Sequence, residues 1–174
     1  MTTLSDGAYV VAWESNEQDG DAWGIYAQHY TADGTPIDGE LQINTTTQNS
    51  QAQPSISALA DGYVISWLTD PEHGGAPAFQ VFNNDGTLNG VETTLSGSYN
   101  SASHIHVTGL PDGSFAVSWF AFDQDSNNAI FVQRFDADGG APRASGFRRP
   151  GAWLHGRHQS HSIRRRLCCR RTGG

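Results

Sequence analysis

Leu59-Ala60-Asp61-Gly62-Tyr63-Val64-Ile65-Ser66-Trp67 occurs three times in this chain in related form. The earlier copy is Leu4-Ser-Asp6-Gly7-Ala-Tyr9-Val-Val11-Ala-Trp13, and the later one is Leu110-Pro-Asp112-Gly113-Ser-Phe115-Ala-Val117-Ser-Trp119. A second block follows each tryptophan. It reads Tyr26-Ala-Gln28-His-Tyr30-Thr-Ala-Asp33-Gly34, then Ala78-Phe-Gln80-Val-Phe82-Asn-Asn-Asp85-Gly86, then Phe131-Val-Gln133-Arg-Phe135-Asp-Ala-Asp138-Gly139. Both blocks return after about 52 residues, and a fixed period of that size marks an array, solenoid or propeller.

Within each block the large apolar residues alternate, which is the two-residue period of a strand. Tyr63, Ile65 and Trp67 share one face, as do Tyr9, Val11 and Trp13, and Phe115, Val117 and Trp119. The opposite face carries smaller residues such as Val10, Ala12, Ser66, Ala116 and Ser118. Bulk on one face and small groups on the other suit sheets stacked closely on one another. Asp-Gly ahead of each strand is a hairpin-turn signal, because glycine takes positive φ without a Cβ clash. A further strand precedes each Leu-x-Asp-Gly, as in Pro54–Leu59 and His104–Val107, and another follows the second Asp-Gly, as in Glu40–Asn44.

The expected class is therefore all-β, with four-stranded antiparallel repeat units. Incomplete β-propeller blades fit best; another stacked-sheet array or an immunoglobulin-like sandwich is the alternative. Residues 1–142 hold about two and a half units, near 4–53, 54–103 and 104–142. The chain would start inside a unit, without the strand before Leu4, as a fragment of a larger ring.

Charge divides the chain. All 18 acidic residues precede residue 143, together with a single base, Arg134, whereas nine arginines and both cysteines, Cys168 and Cys169, lie in residues 143–174. An acidic body repels phosphates, which argues against nucleic-acid binding by residues 1–142. No run approaches the ~20 apolar residues of a membrane helix, so no membrane insertion is expected. Met1-Thr-Thr-Leu-Ser-Asp-Gly lacks the features of a signal peptide.

The two blocks, with Ile-Tyr-Ala-Gln-x-Tyr-x-Ala-Asp-Gly-Thr-Pro and Leu-Gln-Ile-Asn-Thr after the first tryptophan, resemble a repeat of very large bacterial exoproteins. Such proteins often carry RTX-type calcium repeats and type I secretion signals. The resemblance covers residues 4–142 and implies a propeller-like, extracellular, non-enzymatic, adhesin-like region. The RTX nonapeptide Gly-Gly-x-Gly-x-Asp is absent here, so that route to calcium is not implied.

No Gly-x-Ser-x-Gly element, no sialidase box and no cysteine in the body point to catalysis, and no catalytic residue is selected. The loops after the tryptophans are acidic, and Asp19, Asp21, Asp123 and Asp125 are calcium candidates, since Ca²⁺ takes 6–8 oxygen ligands. A solvated hairpin loop is the competing reading. Gln28, Gln80 and Gln133 are expected to make structural hydrogen bonds. His29, His73, His104 and His106 are read as structural or surface residues. Trp23, Tyr99 and Phe122 fall outside the repeated core positions; exposed there, they would suit stacking on sugars, and otherwise they plug loop bases. The two functional expectations are a structural or adhesive module of a secreted bacterial surface protein, and a carbohydrate-binding or glycan-acting propeller module, calcium-stabilised if the acidic loops hold the ion. Partners would be surface glycans or other cell-surface proteins.

Residues 143–174 break the register. A strand and another Leu-x-Asp-Gly should follow Asp138-Gly139, but an arginine-rich, acid-free run stands there. Shifting the reading frame across residues 163–173 permits Pro-Ser-x-x-x-Leu-x-x-Asp-Gly-Gly, close to Pro54–Gly62. The basic tail is therefore expected to be out of frame or disordered; a basic arm for nucleic acid or acidic membrane is the other reading.

Overall fold

The structure, a computed structural model, describes residues 1–123 and 125–140. The expectations for the tail, residues 143–174, lie outside the described residues. Eleven strands form three antiparallel sheets in chain order. The first holds β1 (Thr2–Thr3), β2 (Tyr9–Asn16), β3 (Trp23–Tyr30) and β4 (Pro36–Gln42). The second holds β5 (Gln51–Ala58), β6 (Gly62–Thr69), β7 (Ala76–Asn83) and β8 (Thr93–Thr94). The third holds β9 (Tyr99–Gly109), β10 (Phe115–Asp123) and β11 (Asn128–Phe135). Each sheet is a simple meander of neighbouring strands, the construction of a propeller blade. Among the described residues the only helical segment is a 3₁₀ turn at Pro71–His73.

The alternation read from sequence sets how the sheets pack. Tyr63, Ile65 and Trp67, all fully buried, face the first sheet and meet Val10, Ile25 and Ala27. Val64 and Leu68, on the other face of the same strand, join Phe79 and Val81 against Phe115, Val117 and Trp119 of the third sheet. The bulky face of each sheet thus lies on the smaller-residue face of the sheet before it.

Hydroxyl groups close the seam where β1, β5 and β9 adjoin. Thr2 Oγ1 accepts the Ala58 N–H at 3.0 Å, and Ser57 Oγ accepts the Gly109 N–H at 2.9 Å. These are the same bond one unit apart, since Ala58 and Gly109 pair with Tyr63 and Phe115 in one register.

Aspartates at the turns of this same end stabilise the hairpins locally. Asp6, Asp33, Asp85, Asp112 and Asp138 each accept the backbone N–H two residues on. Such a bond mimics a backbone turn, and it accounts for part of the acidity of the body.

Three differences from the sequence reading have physical causes. The strand expected to be missing before Leu4 is present as a stub, Thr2–Thr3 on β2. The inner strands start at Gln51 and Tyr99, earlier than the unit boundaries drawn at 54 and 104. Gln53, at φ 58°, and His104, at φ 52°, sit at bulges that break the alternation, so the pattern becomes readable only after them. Finally, Gly62 is not a turn glycine. The second copy is one residue shorter between Asp-Gly and its aromatic, so Gly62 starts β6, whereas Gly7 and Gly113 have φ of 87° and 85°.

Candidate functional site

The β2–β3 loop, the β4–β5 connection and the β6–β7 loop are joined at one end of the first two sheets. Asn44, buried at the start of the connection, is the hub. Its Oδ1 accepts the Ile25 N–H at 2.7 Å, and its Nδ2 lies 3.0 Å from Asp19 Oδ2, 3.0 Å from Thr46 O and 3.1 Å from Gln51 Oε1. Gln51, also buried, donates to the carbonyls of Gln48 and Asn49. Both amides are thereby satisfied, as burial of a polar group requires.

Asn49 bridges the two loops. Its N–H donates to Asp21 Oδ2 at 3.0 Å and its Nδ2 to Asp70 Oδ2 at 3.4 Å. Glu92, from the segment before β8, accepts from Thr45 N and Thr45 Oγ1, each at 2.6 Å. The connection is therefore pinned from both sheets.

Trp23 stands at the rim of this network. It opens β3, and its indole is 42 % exposed. The next residue, Gly24, makes room for the carboxylate of Asp19: a Cβ there would lie 2.6 Å from Asp19 Oδ2. Burial, then the charges of Asp19 and Glu40, push the Tyr26 phenol above its ordinary value, so it stays a neutral hydroxyl. This end of the first sheet thus holds an exposed indole, Trp23, and a hydrogen-bonded set of carboxylates and amides on the loops next to it.

The other loop aromatics separate. Phe122, at the end of β10, is 38 % exposed. Tyr99 is half-buried, packs edge-on to Trp119 and donates its hydroxyl to Leu95 O, so it belongs to the core.

The calcium candidates fall in two places. Asp19 and Asp21 lie in the β2–β3 loop of the first sheet, whereas Asp123 and Asp125 lie at the β10–β11 turn of the third. Asp123 Oδ1 accepts from Asp125 N at 3.0 Å and Asn127 N at 2.9 Å. Among the described residues no three His, Cys, Asp or Glu side chains gather as a metal site.

Gln28 makes structural bonds: its Nε2 donates to His29 O at 3.0 Å and Ile37 O at 2.8 Å, beside the β4 bulge at Asp38. Gln80 Nε2 donates to Val81 O at 3.0 Å. The histidines stand apart from one another. His29 meets Tyr63, His73 pairs with Asp70, His104 packs on Phe120, and His106 Nδ1 lies 3.1 Å from Ser55 Oγ. Sequence reasoning missed Asn44 and Asn49; each lies between strands, outside the two repeated blocks that drew attention.

No family model and no curated protein matches the sequence. Among solved structures, a fucose lectin from Kordia zhangzhouensis in complex with methyl-fucoside is similar, at 13 % identity and a TM-score of 0.46. The match covers 84 % of this chain and 99 % of the lectin.

Proposed function

We propose that the chain is a non-catalytic adhesive module that binds carbohydrate, within a secreted bacterial surface protein. One observation carries the reading: Trp23 is exposed at the start of β3, at the same end of the sheets as the network of Asp19, Asp21, Asn44 and Asn49. Sugars present an apolar C–H face and a rim of hydroxyls. An indole takes the first through its π-face, and fixed carboxylates and amides take the second. A mostly rigid site with a few placed polar groups also keeps the ordering cost of binding low.

The test is a glycan array probed with the labelled full chain, followed by titration with the best sugar. Trp23→Ala should lower affinity at least about tenfold, which corresponds to ~1.4 kcal/mol, with unchanged circular dichroism. Absence of binding to any glycan, or equal binding by the variant, would overturn the proposal.

A further inference from the structure

Each seam among the described residues joins two unlike faces, and the described residues leave one face of each kind open at the two ends of the stack. In the first sheet Tyr9, Val11 and Trp13 are only half-buried, although Tyr63, Ile65 and Trp67 at the same register are fully buried. In the third sheet Ile130 and Val132 are 60 % and 48 % exposed. Their counterparts one and two units earlier, Ala27, Pro77 and Phe79, are buried under the following sheet. Phe120, paired with Ile130, and Phe122 extend the same face.

We infer that these two faces pack on each other between two copies of the chain, head to tail, and that two copies close a ring. The first reason is continuity. The open faces are the two halves of a seam that the chain already builds twice, bulky face on smaller-residue face. The second reason is the hydroxyl bond of that seam. Thr108 occupies the register of Thr2 and Ser57, and Thr3 that of Ala58 and Gly109, so Thr108 Oγ1 of one copy is placed to accept the Thr3 N–H of the other. The third reason is that the faces are complementary and not alike, which makes the contact heterologous. A heterologous contact closes into a ring when its rotation allows. Two copies bring six sheets together, within the 4–8 blades of known propellers.

The full chain should sediment as a dimer in analytical ultracentrifugation across a dilution series. Val132→Glu and Val11→Glu, one on each face, should each give a monomer with native circular dichroism. Mixing the two variants should restore dimer mass, because one intact face of each kind is then available. A monomer at every concentration would overturn the inference. So would a dimer that survives either single substitution, which would mean a face pairing with its own kind or elsewhere. Open-ended polymers would overturn the closed ring. If Val11→Glu perturbs the fold, Thr108→Val, which removes only the seam hydroxyl, should still weaken the dimer by a measurable rise in Kd.

Discussion

His29 of β3 and Tyr63 of β6 meet across the first seam, with the imidazole Nε2 2.7 Å from the phenol oxygen and the rings edge-on at 5.2 Å. The contact links two units through a group that titrates near neutrality. Burial pushes the imidazole below its ordinary value, and Asp38 and Asp85 only partly offset it. Burial also raises the Tyr63 hydroxyl far above its usual range, so it stays neutral.

The sign of the pH dependence follows. His29 has a depressed value in the folded state, so folding disfavours its protonated form. Its contribution is complete above the unfolded value of about 6.5 and is lost as pH falls through the folded value. His73 has the opposite sign, because its bond to Asp70 raises it, but it is exposed on a loop and screened. The melting midpoint is expected to fall between about pH 7 and pH 5, and His29→Gln should flatten that slope. A second loss, below about pH 3.8, is expected from Asp33, Asp85 and Asp112, whose carboxyls are lowered mainly by side-chain bonds to Thr31, Thr87 and Ser114. An unchanged slope in His29→Gln would remove the seam histidine from the account.

Trp67 lies in the middle sheet and is fully buried. Truncation to alanine should cost about 3–5 kcal/mol, from lost transfer energy and the cavity left behind. Trp13, half-buried on an open face, should cost less. Trp23, exposed at the loop rim, should stay within about 0.5 kcal/mol. Urea midpoints of the three variants, each made in the monomeric Val132→Glu background so that no second copy covers Trp13, check the order, and a Trp13→Ala loss equal to that of Trp67→Ala would contradict the stacking direction.

The strands and the face each residue takes were legible because they depend on local alternation repeated three times. Tyr63, Ile65 and Trp67 could be placed together from spacing alone. The inner strands were only half legible, since Gln53 and His104 adopt positive φ at bulges and shift the pattern by one residue. The network at the loop end was less visible still. Asn44 gains its importance from bonds to Asp19, Ile25 and Gln51, residues 25, 19 and 7 positions away. Such long-range amide bonds leave no periodic trace in a sequence. Trp23 was singled out because it stood outside the repeated positions, and its exposure required the structure.

Calcium should leave stability unchanged. Asp123 Oδ1 already accepts two backbone N–H groups that fold its turn, and Asp19 and Asp21 accept from Asn44 and Asn49. A cation would have to displace those donors and find 6–8 oxygens. The melting midpoint is expected to be the same in excess EDTA and in excess calcium. A rise of several degrees with calcium, abolished by Asp123→Asn or by Asp19→Asn, would identify the loop that binds it.

Gly62 is expected to be the most sensitive glycine among the described residues. Because the second copy is one residue short, Gly62 starts β6 opposite Asn83, and a Cβ there would lie 1.9 Å from the carbonyl oxygen of Phe82. That oxygen belongs to a packed strand, so it cannot swing aside as a surface side chain would. Gly62→Ala must separate β6 from β7 at the edge of the first seam, beside Tyr63 and Phe82, whose rings stack at 5.0 Å. The cost should reach at least the roughly 1–3 kcal/mol typical of overpacking. Gly39 provides the control. Nothing lies within 4 Å of its Cβ position and its φ is not positive. Gly39→Ala should therefore be neutral or stabilise by up to about 1 kcal/mol, through the reduced freedom of the unfolded chain. Thermal midpoints compare the two. A Gly62→Ala protein as stable as Gly39→Ala would show that the Cβ position of Gly62 is open and that β6 does not approach Phe82 there.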